Sequence, residues 1–456
     1  MSDPTTTQCL FPDLLSKPVV ARFDVDHGSS DGGAILLKAA ERRLQLLEGL
    51  ADCVTDRRDP ARVRHEVEEL LGQRVYALAC GYSDCNDAAR LSADPIHKAL
   101  VGRDPIEGDD LGSQPTLSRF ENAIGPRALY RMSETLLTQV VRRHRRRRRR
   151  KVRQVVVDLD VTDDPTYGGQ QLSLFNGFYD TYCYLPLLGF LTFDDEAEQY
   201  LCAAMLRPGT AGCQLGAIGM LRRILRRLRE AWPDVRIVVR LDGGFASPRL
   251  FEFLDEQPNV GYVVGFPSNP VLEREVAGAM KRVRRRAKDR SETCREYGHR
   301  FYAAGTWTHE RRVVYKAEVV HHPGRELKDN ARFVVAKLPL TPRRAYEFYC
   351  RRGEVENRIK ELLDGMQIGR TSCSRFWANQ FRVLLTAVAY VLMQEIRLWA
   401  KRTTLARAQV DRLRICLIKL GAHVEVSVRR IVLHLPRAFA FVDVWQRIAG
   451  VAARAG

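Results

Sequence analysis

Hydrophobic positions follow a helical spacing in the first third of the chain and a strand-like pattern after it. Between residues 34 and 150 the apolar residues recur every three or four positions, which predicts amphipathic helices in a helical N-terminal domain. From Gln154 the spacing changes to β-branched runs, and three consecutive strands are predicted for QVVVDLDVT, YCYLPLLGFL and QYLCAAMLR. Residues 1–33, ahead of the first helix, form a polar leader.

Helices and strands alternate after these strands. Residues 215–232 are rich in Leu and Arg and predict a helix, and VRIVVRLD predicts a fourth strand. Ser247 and Pro248 are residue types that favour a helix N-cap and the first helical position, and VGYVVGF predicts the closing strand. Three strands, helix, strand, helix, strand is the order of an RNase H-like α/β fold. Residues 151–266 are therefore interpreted as the first part of such a core.

An inserted β-rich subdomain is predicted for residues 267–342, where a basic helix precedes the short alternating strands FYAAGTWTH, RRVVYKAEVVHH and ARFVVAKLP. Helical spacing returns at residue 343, and residues 343–402 are interpreted as the second part of the core. Residues 403–456 form a basic C-terminal region. The predicted class is α/β, an RNase H-like core interrupted by an insertion, with helical regions at both ends.

The chain carries a large excess of positive charge. Its 456 residues include 73 Lys and Arg against 55 Asp and Glu, which gives a formal net charge of +18 and a pI near 9.6. Half of this excess falls in the run RRHRRRRRRK, residues 142–151. A hydrophobic content of 45% is enough for folded cores and excludes a largely disordered chain. The charge indicates a polyanionic partner such as nucleic acid.

No secretory or membrane-spanning segment is predicted. The N-terminus lacks the basic start and apolar core of a signal peptide. No uninterrupted apolar stretch approaches the ~18 residues that a membrane span requires, and the richest, residues 383–393, predicts a buried helix. We therefore expect a soluble, cytoplasmic protein with access to DNA and without a membrane partner.

Two aspartates share one face of the first predicted strand. Side chains alternate along a strand, so Asp158 and Asp160 emerge on the same side near its end. An unpaired carboxylate in a central strand is costly, and coordination of a cation is one way to offset that cost. A salt bridge or a polar strand end explains either aspartate equally simply, and for one of them alone this structural explanation is favoured.

Two further acids stand in comparable places. Asp242 ends a buried-type strand and precedes two glycines, although Asp before Gly is also an ordinary turn former. Glu356 belongs to a polar helical stripe with Tyr349, Arg352 and Lys360, which is also compatible with a solvated helix face. Together, carboxylates from two strands and one helix can hold two divalent ions about 3.5–4 Å apart, the arrangement that cleaves phosphodiesters by in-line attack.

With these acids in that order of elements, the chain resembles the DDE transposases of bacterial insertion sequences, in the branch with a Tyr-x2-Arg-x3-Glu helix. Tyr349, Arg352 and Glu356 match this motif. The resemblance extends over about residues 81–430 through the segments GYSDCNDAARLSADP, QPTLSRFENA, DLDVTDDPTYGGQQ, YDTYCYLPL, RLDGGFASP and RTSCSRFWANQFRVLLTAVAYVL. It implies Mg²⁺-dependent cleavage at the terminal inverted repeats and strand transfer into target DNA, with two ions that could also be Mn²⁺.

The resemblance also implies roles for single residues. Asp160, Asp242 and Glu356 are the expected metal ligands, because Asp160 precedes Val-Thr as the family's Asp-x-Thr does; Asp158 is the rival. Tyr349 and Arg352 are expected to contact phosphate near the cleaved strand.

The resemblance to the family is less direct at two further positions. The family's basic residue seven positions after the glutamate is Leu363 here, and Lys360 stands at four instead. Trp307, in the predicted insertion, is the candidate for stacking on a base flipped out during excision; a core position in the β-rich subdomain is the alternative.

The expected partner is double-stranded DNA, both terminal repeats and target. The helical N-terminal domain would bind the repeats as part of a homodimer on DNA, with a location near the nucleoid. Phosphate contacts are expected from the arginine run, at Arg145, Arg146, Arg147 and Arg148, unless that run is a solvated linker. An RNase H-like nuclease or resolvase, and a DNA-binding relative that has lost catalysis, remain as alternative functions.

Overall fold

The computed structural model describes residues 9–11, 14–147 and 151–455. The strands are β1 (Cys9–Phe11), β2 (Val19–Ala21), β3 (Gly28–Ser29), β4 (Gln154–Val161), β5 (Asp164–Pro165), β6 (Leu174–Asn176), β7 (Thr181–Tyr184), β8 (Leu187–Phe193), β9 (Tyr200–Met205), β10 (Arg236–Leu241), β11 (Val260–Phe266), β12 (Cys294–Tyr302), β13 (Arg311–Val320), β14 (Lys328–Lys337), β15 (Ala422–Ser427) and β16 (Arg430–His434).

The helices are α1 (Ile35–Leu44), α2 (Leu46–Ala51), α3 (Val67–Cys80), α4 (Cys85–Arg90), α5 (Pro95–Leu100), α6 (Gln114–Ala123), α7 (Pro126–Arg147), α8 (Ala217–Ala231), α9 (Pro248–Asp255), α10 (Pro270–Arg290), α11 (Pro342–Cys350), α12 (Gly353–Lys360), α13 (Phe376–Trp399), α14 (Val410–Leu413) and α15 (Val442–Ala455). Short π-helical turns follow α12 and α14. The protein is therefore mixed α/β, as predicted.

The described chain divides into two compact units. Apart from the residues outside the described ranges, one unit comprises residues 1–43, 58–118 and 395–456, and the other comprises residues 44–57 and 119–394. The first unit contains a three-stranded sheet in the order β16-β15-β3, so a strand of the polar leader pairs with the C-terminal region. The sequence pattern did not predict β15 and β16. The six segments into which the sequence was divided stay predictions.

An eight-stranded sheet dominates the second unit, in the order β12-β13-β14-β11-β10-β4-β8-β9. Strands β4, β10 and β11 are parallel neighbours, whereas the other pairings are antiparallel. The central strand β4 is buried from Val155 to Asp160, because its apolar side chains are covered on both faces. This double burial is the reason why QVVVDLDVT is nearly continuous in apolar residues rather than alternating.

Helices pack on this sheet through apolar stripes. In α8 the buried side chains recur every three or four positions, which is the helical spacing seen in the sequence; they are Ala217, Met220, Leu221, Ile224, Leu225 and Leu228. Helix α7 packs against α8 and β9. Helix α9 begins as predicted, with Pro248 at its first position and Ser247 accepting a 3.3 Å hydrogen bond from the Leu250 amide.

The residues predicted as an inserted β-rich subdomain form helix α10 and an antiparallel ribbon of three strands. The ribbon joins the main sheet, because β14 pairs with β11 from Phe333 to Lys337. The strand predicted at residues 301–309 is wrong in position, since β12 spans Cys294–Tyr302 and the chain turns after it. Trp307 therefore lies in a loop between two strands rather than on a strand.

Candidate active site

Asp160 and Asp242 come to the same edge of the main sheet. Asp160 is the penultimate residue of β4, and Asp242 follows directly after β10. These two strands are parallel neighbours, with Arg240 opposite Asp158, so their carboxyl ends meet at one edge. Asp242 also begins a short turn, because its carboxylate accepts a 2.9 Å hydrogen bond from the Gly244 amide.

One guanidinium contacts three of the predicted carboxylates. Arg352 Nη1 donates to Asp160 Oδ2 at 2.7 Å, and Nη2 lies 3.3 Å from Glu356 Oε1 and 3.9 Å from Asp242 Oδ2. Asp160 is buried, and Arg352 and Asp242 are partly buried, whereas Glu356 is 57% exposed. The acids from two strands and one helix thus converge on a single positive charge.

Asp158 is held by a different arginine. Arg240 Nε donates to Asp158 Oδ1 at 2.7 Å, and Arg240 Nη2 donates to Oδ2 at 2.9 Å, so both carboxylate oxygens are taken. Both side chains are buried. Burial raises the pKa of Asp158, while the hydrogen bonds and charge of Arg240 act against this rise. This two-pronged pairing is the salt bridge that the sequence left open as an explanation for one of the two aspartates.

Asp160 lies in an electrostatically unusual place. Burial raises the pKa of its carboxyl group to about 6, and the nearby charge of Asp242 adds to the rise, although Arg352 opposes it. A carboxylate with a raised pKa gains more from a neighbouring cation than a solvated one does, because the cation offsets the cost of burial. Perturbed carboxyl groups of this kind are frequent at functional sites.

The polar stripe predicted around Glu356 crosses a break between two helices. Helix α11 ends at Cys350, and α12 begins at Gly353 with Arg352 as its N-cap residue. Arg352 and Glu356 are nevertheless one helical turn apart, so that their side chains meet. Lys360, the last residue of α12, is exposed, and no contact joins it to the three acids.

Tyr349 reaches the same edge of the sheet. Its ring packs partly buried against the hydrophobic cluster around Val263 and Tyr346. A Cβ atom on Gly265 of β11 would lie only 2.6 Å from the Tyr349 hydroxyl oxygen, so the absence of a side chain there makes room for it. Burial raises the pKa of Tyr349, and Arg352 acts in the opposite direction. Tyr349 thus lies beside the guanidinium that joins the acids.

Trp307 is surrounded by other residues than the predicted acids. The Trp307 ring is partly buried, with centroids 5.2 Å from Phe251 and 5.3 Å from Phe266, and the Arg311 guanidinium stands 5.1 Å from it. These contacts agree with the alternative of a core position, because Phe251, Phe266 and Arg311 pack against the ring.

The basic run begins inside α7. Its first part is not a solvated linker, since Arg143 and His144 are buried and the His144 ring stacks on Phe193 at 3.9 Å. Arg145 and Arg146 are exposed on the last turn of the helix. Arg147 is the last residue of α7, and Arg148 lies outside the described residues.

Two residues beside the site were missed in the sequence. Arg240 stands inside the apolar strand RIVVRL, and a charge in a buried strand is itself a signal that a partner lies opposite. Asp164, the first residue of β5, is fully buried; Thr371 donates a 2.7 Å hydrogen bond to its Oδ2. Burial raises the pKa of Asp164 to about 7, so a large fraction of this carboxyl group stays protonated near neutral pH.

A second cluster of possible ligands belongs to the other unit. Among the described residues, Asp31, Cys80 and His97 form a group whose ligand atoms lie within 4.8 Å of one another. Lys419 Nζ donates to Asp31 Oδ1 at 2.8 Å, and His97 Nε2 lies 3.0 Å from Oδ2. Burial raises the pKa of Asp31, but these partners outweigh it and the net shift is downward. The ammonium of Lys419 already supplies the cation, so this cluster is a buried ion-pair network.

Comparison with known families gives a match over nearly the whole chain. A model of the transposase DDE domain, group 1, matches residues 11–455. The chain belongs to the DDE transposase family. No curated protein is similar enough to the chain to count as a relative. The matched residues run through both compact units of the transposase, so the family covers the N-terminal and C-terminal regions as well as the main sheet.

Because the chain belongs to this family, the general function of the family applies to it. The protein is a transposase, an enzyme class that breaks and joins DNA strands and generally uses divalent metal ions. DNA is therefore its partner. Within the described part of the transposase, no helix is both long enough and apolar enough to span a membrane.

Proposed function

We propose that this transposase moves an insertion sequence by cut and paste: it cleaves DNA at the terminal inverted repeats and joins the freed ends to target DNA. The observation that carries the proposal is the convergence of Asp160, Asp242 and Glu356 on the Arg352 guanidinium at one sheet edge. Carboxylates from two strands and a helix, gathered around a positive charge, suit a site that binds cations and phosphate.

Asp160, Asp242 and Glu356 would hold two Mg²⁺ ions, or Mn²⁺. The donors fit such ions, since all are carboxylate oxygens, which hard divalent cations prefer, and since they already surround a cationic group. Asp160 is preferred over Asp158 as the first ligand because both oxygens of Asp158 are bound to Arg240. When bound, the ions would activate the attacking oxygen and neutralise charge on the leaving oxygen.

Two reactions of the same type would follow. In the first, water attacks the phosphorus at the element end, the P–O3′ bond breaks, and the products are a 3′-hydroxyl and a 5′-phosphate. In the second, that 3′-hydroxyl attacks a phosphorus of the target strand, a new P–O3′ bond forms, and the displaced target 3′-oxygen takes up a proton. The number of phosphodiester bonds is conserved in the second step, so no other energy source is needed.

Arg352 and Tyr349 would then bind the phosphate of the cut strand. Arg352 contacts the acids without DNA, and a phosphate offers the same guanidinium a two-oxygen partner of higher charge. Tyr349 stands next to Arg352 with its hydroxyl over Gly265, at the same sheet edge. Arg145, Arg146, Arg147 and Arg148 would add sequence-independent phosphate contacts, and Lys360, exposed on the turn after Glu356, a further one. A base-stacking role for Trp307 stays a prediction.

The proposed fold of the core is RNase H-like. Its five strands in the order β9-β8-β4-β10-β11, with β8 antiparallel to β4, support this interpretation. The helical N-terminal region would recognise the repeats. A homodimer on DNA would bring two element ends together, because transposition needs both ends in one complex.

End cleavage by purified protein is the direct test. The full chain with its own terminal repeats, Mg²⁺ and a plasmid target is expected to release the element and to produce joined products on a gel. Asp242→Ala and Glu356→Ala should both lose the two activities, because each removes one carboxylate from the proposed ion site. Glu354→Ala, an exposed acid on the same helix as Glu356, is the matched control and should cleave normally. Cleavage without joining would instead identify a nuclease.

Removal of the guanidinium is expected to strengthen metal binding. In the absence of DNA, Arg352→Gln should bind Mn²⁺ about tenfold more tightly than the wild type, a difference of about 1.4 kcal/mol, because it removes a positive charge that competes for the same carboxylates. Titration of free Mn²⁺ by electron paramagnetic resonance measures this affinity. Arg351→Gln, which changes an exposed neighbour, should bind as the wild type does. Mn²⁺ binding by Arg352→Gln that is no tighter than that of the wild type would contradict competition between the guanidinium and the metal for these acids.

A further inference from the structure

Five aromatic rings are exposed on one part of the second unit, and we call them the aromatic surface. Four belong to the small sheet of β5, β6 and β7 or to the loops between its strands, and the fifth is the second residue of α13. Their exposed fractions are Tyr167 95%, Phe175 49%, Phe178 88%, Tyr182 60% and Trp377 46%. Large rings are usually buried because of their apolar area. Several exposed rings on one short segment therefore indicate a binding surface.

The small sheet that carries most of the aromatic surface begins a few residues after Asp160 in the chain. Only three residues separate Asp160 from Asp164, the start of β5, so the two Cα atoms lie at most about 14 Å apart. Tyr179, in the same segment, is close enough to Asp160 to be affected by its charge. Burial raises the pKa of Tyr179, and the charges of Asp163 and Asp160 add to the rise. The Phe178 ring meets the Tyr179 ring edge to face at 4.9 Å. Phe178 therefore projects from a segment that borders the proposed catalytic acids.

A second loop brings arginines to the same surface. The Gln171 amide donates to Ser374 O at 2.9 Å, and the Phe376 amide donates to Gln171 Oε1 at 3.2 Å, so residues 369–377 are fastened to the small sheet. This loop carries exposed Arg370 and Arg375 together with Trp377. The small sheet and this loop thus carry both exposed aromatic rings and exposed guanidinium groups.

This combination fits unpaired nucleic-acid bases. Exposed rings stack on bases whatever their sequence, and arginines beside them attract the phosphates. Paired bases inside a duplex do not offer their faces to a protein. The acids Asp163 and Asp180 belong to the same segment and repel phosphate, so the backbone is expected on the side of Arg370 and Arg375.

We propose that the aromatic surface binds unpaired DNA bases next to the bond that is cut. The position of the cut rests on the proposed function, whereas the binding of unpaired bases does not. Trp307 is less suited to this task, because its ring is packed against Phe251, Phe266 and Arg311, while Phe178 has almost its whole ring free. Opened DNA at the element end would thus be held by stacking beside Asp160.

The test compares two DNA probes without any divalent metal, so that cleavage plays no part. Fluorescence anisotropy measures binding of the full chain to a blunt 30-base-pair duplex and to the same duplex with six unpaired thymidines at one end. The wild type is expected to prefer the probe with unpaired bases. Phe178→Ala should weaken binding to that probe about tenfold and leave the blunt duplex unchanged, because one stacked base contributes about 1–3 kcal/mol.

Three further variants make the result specific. Phe178→Trp keeps a ring and should bind as the wild type, whereas Phe178→Leu keeps apolar area without a ring face and should bind like Phe178→Ala. Phe301→Ala removes a ring that is 62% exposed on β12, outside the aromatic surface, and should have no effect. Unchanged thermal unfolding of each variant excludes a folding defect.

Several outcomes would overturn the proposal. The wild type could bind both probes equally, or Phe178→Ala could weaken both to the same extent. Phe178→Ala could also abolish self-association of the DNA-free chain in sedimentation, in which case the surface covers a second copy. Failure of the cleavage tests at Asp242 and Glu356 would overturn the proposed function and leave a preference for unpaired bases standing, so the two failures are distinguishable.

Discussion

Asp160→Asn is expected to lower the rate of DNA end cleavage by roughly 10³-fold, about 4 kcal/mol of transition-state stabilisation, without weakening the fold. Asparagine keeps the shape of the side chain but provides one neutral oxygen in place of a charged pair. Burial raises the pKa of the Asp160 carboxyl to about 6, whereas an unfolded aspartate ionises near pH 3.9. The folded state therefore holds the proton more tightly, and ionised Asp160 lowers the stability of the metal-free protein above pH 6.

The sign of that linkage makes the prediction specific. Substitution by asparagine removes a charge that costs stability at neutral pH, so the melting temperature of the metal-free variant should equal or exceed that of the wild type at pH 7.5. Mn²⁺ affinity should fall together with cleavage, because the proposed ligand is lost. Single-turnover cleavage, calorimetric melting and Mn²⁺ titration on the same preparation measure all three. An Asp160→Asn variant that still cleaves would remove Asp160 from the proposed site.

Asp158→Asn is expected to produce the opposite pattern: a loss of about 3–5 kcal/mol in the free energy of unfolding. The substitution leaves the Arg240 guanidinium buried without a charged partner, since Asp158 occupies both Nε and Nη2. Urea unfolding followed by circular dichroism measures the loss. The fraction that remains folded should keep its Mn²⁺ affinity, because Asp158 is not one of the proposed ligands.

Two further variants separate a buried pair from a surface pair. Asp234→Asn breaks a 2.8 Å pair with Lys151 in which both side chains are exposed, so the stability should change by less than about 1 kcal/mol. The double variant Asp158→Asn with Arg240→Met removes the unpaired charge and should be more stable than Asp158→Asn alone. A stable Asp158→Asn variant that has lost Mn²⁺ binding would make Asp158 the ligand and Asp160 the structural residue.

The local sequence pattern predicted helices and strands well where a single feature, such as a β-branched run or a helix cap, was strong. The β-branched run at 154–162 became β4, and Ser247-Pro248 began α9, because period and capping depend on neighbours in the chain. The prediction was wrong at residues 301–309, since the loop after β12 contains Thr306, Trp307 and Thr308, residue types that favour strands. The leader strand β3 was missed because its partner, β15, is almost four hundred residues away in the chain.

The sequence by itself determined the family motifs, the central strand, and the position of acids near the ends of two strands and on one helix. It could not choose between Asp158 and Asp160, because the two-residue period of a strand places both on the same face. Only the tertiary structure gives the two aspartates different partners, because the neighbouring strand sets Arg240 opposite Asp158 in register and leaves Asp160 to Arg352. Likewise, only tertiary packing buries Arg143 and His144 within a basic run and leaves Phe178 exposed, because burial depends on which surfaces meet after folding.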